Sequence, residues 1–259
     1  MNAIILGDGG FGQAIARGLE ETGEPRPTVL GRPTDGHHDP RTLGQAEVIF
    51  DASRGDQVPG NVAAALAAGC RTLVIGTTAW DEARPAVETA LLDHAASAVA
   101  ASNFSLGVAL FGRLIDRAVE LFGAVDAFDP YLVEWHRSSK ADRPSGTARD
   151  LSRRILAAHP TKARLADPGR EGPRQRDELE VAVVRAGAAP GMHLVGFDAP
   201  GETVELRLTA RDRTAYAQGA LAAARWLLRE PRRPGFHSFD VVVDDLLARP
   251  SEHPLAMAG

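Results

Sequence analysis

The feature that most constrains the fold is a regular alternation of short apolar runs with helical segments over the first hundred residues. The run at 3–6 has the character of a strand, and the segment after it places Phe11, Ile15 and Leu19 at four-residue spacing, as a helix does. Further buried strands are predicted at 28–30, 48–50, 73–75 and from 99 onward. This alternation predicts a parallel sheet with helices on both faces.

After Ser105 the pattern changes. A long amphipathic helix is predicted over 108–122, a strand over 131–135 and a helix over 147–158. Three strand-like runs follow, at 179–185, 192–197 and 203–209. The last two flank a Pro-Gly turn signal, which favours an antiparallel pairing. Helices predicted at 215–228 and 240–247 are expected to return to the first domain.

The predicted fold class is therefore α/β, with a Rossmann-like parallel-sheet domain and a smaller α+β domain that has a mixed or antiparallel sheet. We expect a dinucleotide-binding domain at 1–104 and 214–259. A substrate-binding and oligomerisation domain is expected at 105–213. Self-association through the second sheet is expected because an open sheet with an apolar face needs a cover.

Composition excludes several classes of protein. The formal net charge of −5 and the 5% aromatic content argue against nucleic-acid partners. Cys70 is the only cysteine, so an internal disulfide is impossible and a reducing compartment is favoured. No apolar run reaches the length of a membrane span, and no signal peptide is recognisable, so a cytoplasmic protein without a membrane partner is expected.

The first turn after a strand carries a dinucleotide-binding fingerprint. Gly7-Asp8-Gly9-Gly10-Phe11-Gly12 matches G-x-G-x-x-G between the first strand and the first helix. Its glycines permit a tight turn and a close approach of a pyrophosphate to the helix N-terminus. We take Gly7, Gly9, Gly10, Phe11 and Gly12 as cofactor-binding residues. The alternative is a glycine turn that only packs a helix on a strand.

Cofactor choice depends on the end of the second strand. An NAD site would have an acid there, whereas this strand ends in Arg32 and the first acid is Asp35. A guanidinium suits a 2′-phosphate, so NADPH is predicted, with NADH possible and a solvated loop charge as the alternative. Gly76-Thr77-Thr78 ends another strand and is predicted to hold the nicotinamide carboxamide, unless it is a plain strand terminus.

The substrate end combines three chemical groups within twelve residues. Ser145-Gly146-Thr147 opens a helix, so its N–H groups and hydroxyls form a carboxylate site, although ordinary Ser capping is the alternative. Lys140 adds a point charge to the same anion. His136 is expected near its titration point at neutral pH, where it can act as a general acid. No metal site is predicted, since His37-His38 lacks spaced Cys or carboxylate partners.

These residues resemble the signature E-x-H-H-x-x-K-x-D-A-P-S-G-T-A of the 4-hydroxy-tetrahydrodipicolinate reductase (dihydrodipicolinate reductase) family. The elements in register are Glu134, His136, Lys140, Asp142 and Pro144-Ser145-Gly146-Thr147-Ala148. Further matches are Asp51, Gly76-Thr77-Thr78, Asn103-Phe104-Ser105-Leu106-Gly107-Val108, Gly191-Met192-His193, Arg213, Ala215 and Gln218-Gly219-Ala220. The resemblance thus covers nearly the whole chain.

The resemblance implies a homotetramer that reduces 4-hydroxy-tetrahydrodipicolinate, a cyclic imine dicarboxylate, to tetrahydrodipicolinate in lysine and diaminopimelate biosynthesis. It implies that His136 is the proton donor, that Lys140 is a catalytic and substrate-binding cation, and that Gly146 and Thr147 hold a substrate carboxylate. It also implies that Asn103 and Phe104 contact the cofactor.

The chain departs from the family pattern at several positions. Arg137 replaces the second histidine, and we include it among the substrate-binding residues because it adds charge for a dicarboxylate. Arg143 replaces an alanine, Gly10 replaces an arginine in a phosphate loop one residue shorter than usual, and Ala210 replaces a histidine. Two alternatives therefore stay open: a diverged reductase of another cyclic imine carboxylate, and a catalytically silent nucleotide-binding sensor.

Overall fold

The structure, a computed structural model, describes residues 1–33, 38–212 and 214–248. Asp35, His37 and Arg213, which were considered in the sequence analysis, lie outside these ranges. The chain divides into two compact units, Met1–Leu106 with Arg213–Gly259, and Gly107–Asp212. No helix among the described residues is both long enough and apolar enough to cross a membrane.

The first unit contains a six-stranded sheet in which all neighbouring strands are parallel. Its strands are β1 (Ala3–Leu6), β2 (Thr28–Leu30), β3 (Val48–Asp51), β4 (Thr72–Ile75), β5 (Ser97–Ala100) and β11 (Gly235–His237). Its helices are α1 (Gly10–Glu21), α2 (Val58–Ala67), α3 (Arg84–Asp93), α6 (Thr214–Arg229) and α7 (Phe239–Ala248). β1 and β3 are buried at every position, as expected for strands covered on both faces.

The strand order β11-β5-β4-β3-β1-β2 places a topological switch point beside β1. The chain runs from β1 outward to β2, and then returns to β3 on the other side of β1. Ligands of open α/β sheets bind at the carboxyl ends of the strands where the order reverses. The loops that follow β1, β2, β3 and β4 meet at that edge, so the order brings the glycine fingerprint and the Gly76-Thr77-Thr78 segment to one edge.

The second unit contains a five-stranded sheet in the order β10-β9-β6-β8-β7. Its strands are β6 (Asp129–His136), β7 (Arg164–Leu165), β8 (Glu178–Arg185), β9 (Met192–Ala199) and β10 (Glu202–Thr209), and its helices are α4 (Leu106–Gly123) and α5 (Gly146–Ala158). β6 pairs in parallel with β8 and antiparallel with β9, so the sheet is mixed. The predicted α/β class with a second mixed sheet is confirmed.

Alternation along β6 separates two faces of this sheet. Leu132, Glu134 and His136 are buried on the face that α4 and α5 cover, where Leu132 belongs to an apolar cluster with residues of both helices. The opposite face, which we call the open sheet face, is formed by Val133, Trp135, Val184 and Leu194. Trp135 and Val184 are 40% and 41% exposed, which is unusual for large apolar side chains in a sheet.

Candidate functional site

The glycine fingerprint of the first unit fits a phosphate-binding turn. Gly7 has a φ of +118°, and a Cβ there would lie 2.3 Å from the carbonyl oxygen of Ala52. A Cβ on Gly12 would lie 2.0 Å from the carbonyl oxygen of Gly7. A side chain at either position is therefore excluded by backbone atoms, whereas Gly9 faces open space in which a ligand can approach.

The N-terminus of α1 offers unshielded backbone donors beside this turn. Gly9 is the N-cap residue and has no side chain to satisfy the first N–H groups of the helix. The first turn contains no acidic residue. Donors at a positive helix end, next to open space, suit a pyrophosphate. Gly7, Gly9, Gly10 and Gly12 thus lie together as predicted, and the geometry fits a dinucleotide.

A cleft of about 190 Å³ continues from this turn. Arg32 lies in its lining, and Arg54 joins it from the loop after β3. Both guanidiniums contact Asp56, at 3.5 Å and 3.4 Å respectively, and all three side chains are more than half exposed. The sequence reasoning did not single out Arg54, which adds a second guanidinium to this cleft while Asp56 offsets one of the two charges.

An acid also lies in this cleft, although no acid directly follows β2 in the sequence. The Asp8 carboxylate packs against Gly31, the residue that follows β2, and a Cβ on Gly31 would be 3.1 Å from Asp8 Oδ2. A carboxylate near the end of β2 is the group that accepts from ribose hydroxyls in NAD sites. The absence of an acid directly after β2 therefore does not by itself favour NADPH.

A buried polar network fixes the loops after β3 and β4. Asp51 Oδ1 accepts from the hydroxyl groups of Ser53 at 2.7 Å and Thr77 at 2.5 Å, and Oδ2 accepts from Asn61 at 2.8 Å. The Thr77 hydroxyl is thus already engaged. Thr78 is exposed, so the hydroxyl that the sequence offered to a carboxamide is the one on Thr78, together with the backbone of the segment.

The aromatic residues predicted at the cofactor site have different positions. The Phe11 ring covers Gly76, where a Cβ would be only 2.3 Å from Phe11 Cε1. Phe104 is 1% exposed and stacks against Phe11 with a centroid distance of 6.5 Å, so it supports Phe11 from within the core. Asn103 accepts from the Ser105 backbone N–H through Oδ1 at 2.8 Å.

The second unit brings Glu134 and His136 together with His193 at the carboxyl end of β6. Glu134 is fully buried, and its Oε2 lies 3.3 Å from His136 Nδ1 and 3.6 Å from His193 Nε2. The same register places His193 opposite Glu134 across β6 and β9. Ser145 Oγ contacts His193 Nε2 at 3.1 Å, which ties the start of α5 to this group.

Glu134 is ionised and held by several donors. Burial alone would raise its pKa, but the His193 ring, Ser145 and Arg185 outweigh burial and hold the pKa of Glu134 far below its usual range. Its Oε1 accepts from the Ser145 backbone N–H at 2.9 Å and from Arg185 Nη2 at 2.8 Å. The sequence reasoning did not identify Arg185, which lies 51 residues after Glu134.

His136 differs from the sequence expectation in its titration. Burial lowers its pKa to about 4, against an upward pull from Glu134, and the charges of His193, Lys140 and Arg185 lower it further. The ring is therefore neutral at neutral pH in the ligand-free protein, and the expectation of a near-balanced histidine is wrong for this state. A Cβ on Gly191 would lie 3.1 Å from His136 Nε2, so the edge opposite Glu134 borders a glycine.

The start of α5 presents the predicted anion-binding groups. Ser145 is the N-cap and accepts from the Ala148 backbone N–H at 3.1 Å, so the ordinary capping interpretation applies to this residue. Gly146 is exposed, with only Arg149 Nη2 near the position of a Cβ, at 3.9 Å. Thr147 follows in the first turn, where backbone donors face outward.

Lys140 and Arg137 lie on the loop between β6 and α5. Lys140 Nζ contacts Asp142 Oδ1 at 2.7 Å, and its charge is close enough to His136 to lower that residue's pKa. Arg137 is exposed, and its Nε donates to Ser139 Oγ at 3.1 Å. The loop thus carries three cations, Arg137, Lys140 and Arg143, and Lys140 forms an ion pair with Asp142.

Glu134, His136 and His193 also form the one cluster among the described residues whose ligand atoms could share a metal ion, all within 4.8 Å of one another. The sequence did not reveal this grouping, because His193 is remote in the chain. The Arg185 guanidinium already neutralises Glu134, and a second cation beside it is disfavoured. The arrangement suits proton handling, as in a carboxylate–histidine pair.

Comparison with known proteins places the chain in a family. The family model described as "Dihydrodipicolinate reductase, C-terminus" matches residues 107–243, which is more than half of the chain. The chain belongs to the dihydrodipicolinate reductase family. The matched segment contains all of the second unit, including Glu134, His136, Lys140 and the start of α5. The resemblance found in the sequence is thereby confirmed.

Solved structures share the fold at low sequence identity. A dipicolinate-bound dihydrodipicolinate reductase from Paenisporosarcina sp. TG-14 has a TM-score of 0.70 and 18% identity, over 92% of this chain and 97% of that chain. A probable dehydrogenase from Thermotoga maritima has a TM-score of 0.55 and 10% identity, over 95% and 94%. The DAP dehydrogenase of C. glutamicum, in complex with DAP, has a TM-score of 0.50 and 16% identity, over 97% of this chain and 99% of that chain.

These identities establish the shared fold, and the family match supports the broader prediction of a nicotinamide-dependent oxidoreductase. The residue roles, the cofactor preference, the tetramer, the lysine pathway and the cytoplasmic localisation stay predictions. So do the functional roles that the sequence analysis gave to segments 1–104 and 214–259 and to segment 105–213.

Proposed function

We propose that the chain is an NADPH-dependent reductase that converts 4-hydroxy-tetrahydrodipicolinate to tetrahydrodipicolinate, as the lysine and diaminopimelate pathway requires. The observation that carries the proposal is the buried Glu134–His136 pair at the end of β6. It adjoins an open helix start and two cations within the segment that the family model matches. This arrangement combines an anion site with a proton-carrying group, which is what reduction of an imine dicarboxylate needs.

Substrate binding uses charge of the sign that a dicarboxylate requires. The backbone N–H groups of Gly146 and Thr147 receive one carboxylate at the positive end of α5, while Ser145 shapes the turn. Lys140 and Arg137 supply the countercharge from the preceding loop. The exposure of Gly146 supports this assignment, because any side chain there would occupy the ligand's space.

Proton delivery is assigned to His136 Nε2, because Nδ1 faces Glu134. The ring is neutral in the ligand-free protein, with a pKa of about 4. Two substrate carboxylates beside the ring would raise that pKa, since negative charge favours the imidazolium form. The substrate itself thus helps to load the acid, and Glu134 stabilises the charged ring. The overall reaction adds one hydride and one proton and releases water.

The residues present fit a dinucleotide, which when bound would supply the hydride. Gly7, Gly9 and Gly12 shape the phosphate turn, and Phe11 and Gly76 lie toward the nicotinamide end. Arg32 and Arg54 together form a guanidinium pair for a 2′-phosphate, which supports NADPH over NADH. Asp8 supports some use of NADH, since its carboxylate lies near the end of β2.

The decisive experiment is turnover of enzymatically generated substrate by wild-type protein, His136→Gln and Lys140→Ala. Each variant should lose about a hundredfold or more in kcat, the usual scale for a missing acid or oriented cation. The Kd for NADPH should be unchanged, because neither residue belongs to the first unit. His94→Gln is the matched control, since this ring is exposed on the first unit. Near-normal rates in both site variants would refute the assigned roles.

A diverged reductase of another cyclic imine carboxylate is the second candidate. Arg137 supports it, since an exposed guanidinium stands where the family has a histidine and could select a differently charged substrate. Parallel assays with other cyclic imine acids distinguish the two activities. Tight NADPH binding without turnover of any imine acid would favour a silent nucleotide-binding sensor instead.

We also propose self-association, to a homotetramer, through the open sheet face. Val133, Trp135, Val184 and Leu194 form an apolar surface there, with two of the four side chains about 40% exposed. Burial of such a face in a partner removes apolar area from water and protects a sheet that would otherwise aggregate. Light scattering measures the size of this assembly.

A further inference from the structure

We infer that Arg185 is a positioning residue of the proposed reductase site, whose guanidinium holds the Glu134 carboxylate and the loop that carries Lys140 in one fixed arrangement. The inference rests on the proposed function for its kinetic consequence. Its structural consequence is a change in the titration of the His136 ring, which can be measured without any substrate.

The contacts of Arg185 span three segments of the second unit. Its side chain, on the last residue of β8, is 1% exposed. Nη2 donates to Glu134 Oε1 on β6 at 2.8 Å and to the backbone carbonyl of Asp142 in the loop before α5. Nη1 donates to the Val184 carbonyl at 2.9 Å, which fixes the plane of the guanidinium. One side chain therefore connects the acid that faces His136 with the loop that holds Lys140.

This position calls for an arginine in particular. A planar guanidinium can donate in several fixed directions at once, whereas an ammonium is a point charge on a flexible stem. With Oε1 of Glu134 engaged by Arg185 and by the Ser145 backbone N–H, rotation of the carboxylate is restrained. Oε2 is thereby left facing His136 and His193. Oε2 lies 3.3 Å from Nδ1 of His136, so the Nε2 edge, which borders Gly191, is the edge of the ring turned away from Glu134.

Arg185 also determines how much negative charge His136 experiences. Four groups face the ring: Glu134 on the same strand, His193 on β9, Arg185 on β8 and Lys140 on the loop. Glu134 raises the pKa of His136, and the other three lower it. Removal of Arg185 would leave a buried carboxylate uncompensated beside the ring, so the imidazolium form should gain stability. A side chain with a merely space-filling role would not have this effect.

The test compares Arg185→Met and Arg185→Lys with a matched control, Arg174→Met. Arg174, whose side chain is 25% exposed, also pairs with an acid, Asp129, at the opposite end of β6. The first readout is the titration of the His136 ring by NMR in ligand-free protein, with His136→Gln used for assignment. The second readout is kcat and KM in the reductase assay.

Arg185→Met should raise the pKa of His136 by about one unit or more, and Arg174→Met should leave it unchanged. Arg185→Lys keeps the charge, so its His136 pKa should stay near the wild-type value while kcat falls roughly tenfold or more, because the loop and carboxylate are no longer held together. KM should change less than kcat. The titration of His159, which burial also depresses in this unit, reports whether the unit remains intact.

An unchanged His136 titration in Arg185→Met, with His159 normal, would overturn the inference. Wild-type kcat in Arg185→Lys, or an equal shift of the His136 pKa in Arg174→Met, would also overturn it. If Arg185→Met does not fold, the test is the comparison of kcat between Arg185→Lys and Arg174→Met. The inference requires the lower kcat in Arg185→Lys. If the wild-type protein reduces no imine acid, the proposed function fails while the NMR comparison still tests Arg185.

Discussion

Replacement of Gly191 by alanine should damage the proposed acid more than it damages the fold. An added Cβ would lie 3.1 Å from His136 Nε2 and 3.3 Å from Cδ2, closer than most real Cβ contacts. The ring cannot retreat freely, because its other edge faces Glu134 and the side chain is 9% exposed. The new methyl group therefore occupies the edge from which a proton would leave the ring.

Two magnitudes follow from this geometry. Gly191 has a φ of +151°, so an alanine there pays backbone strain of about 1–2 kcal/mol. That cost corresponds to a decrease in Tm of about 2–8 °C for a protein of this size. Displacement of the ring by a few tenths of an ångström, together with the blocked Nε2 edge, should reduce kcat at least about tenfold.

Gly187→Ala provides the control for strain. Gly187 also has a positive φ, +60°, but nothing lies within 4 Å of its Cβ position. Both variants should lose similar stability in thermal unfolding and bind NADPH like the wild type in fluorescence titration. Only Gly191→Ala should lose turnover in the reductase assay. Wild-type kcat in Gly191→Ala, or an equal loss in Gly187→Ala, would refute the assignment of Nε2 as the reacting edge.

The remaining predictions concern pH, cofactor and assembly. Burial lowers the folded pKa of His136 from 6.5 to about 4, so the unfolded state binds a proton at this residue before the folded state does. The free energy of unfolding should therefore fall by about 2–3 kcal/mol as pH drops from 7 to 4. His136→Gln should flatten this pH dependence in urea titrations, and an unchanged slope would contradict the burial argument. Arg32→Ala should weaken NADPH binding about tenfold or more while NADH binding stays the same, and equal losses for both would exclude a 2′-phosphate contact. Val184→Arg should dissociate the proposed assembly, as measured by light scattering, without unfolding the protein. Val241→Arg, at a similarly exposed valine on α7, should leave the assembly intact. A Val184→Arg protein with the mass of the wild-type assembly would exclude the open sheet face as the interface.

Periodicity made most of the fold predictable. The run at 3–6 and the helix through Phe11, Ile15 and Leu19 appear as β1 and α1, because burial selects the spacing of apolar side chains. β7 and β11 were not predicted, since segments of two and three residues are too short to show a period. The sequence left open whether the second sheet is mixed or antiparallel, and the sheet is mixed because β6 pairs in parallel with β8 and antiparallel with β9. Strand order depends on long-range contacts that no local pattern contains.

The candidate site was predictable where its residues are close in sequence, as in the segment from His136 to Thr147. Arg185 and His193 could not be assigned contacts with Glu134 from spacing alone, since strand pairing brings them there. The depressed pKa of His136 likewise arises from tertiary burial. Asp8 was read only as a variable position of the glycine motif, because the direction of its side chain toward Gly31 is a property of the folded loop.

β6 carries both the open sheet face and the proposed acid, and this shared strand constrains how such a chain can diverge. Trp135, on the open sheet face, stands between Glu134 and His136 in the same strand. A one-residue slip of this strand would exchange the two sets of side chains, turning the acid outward and the tryptophan inward. In the proposed assembly, a change of register at the open sheet face would therefore also displace the proposed acid. Lineages that alter how protomers meet should show compensating changes around the histidine.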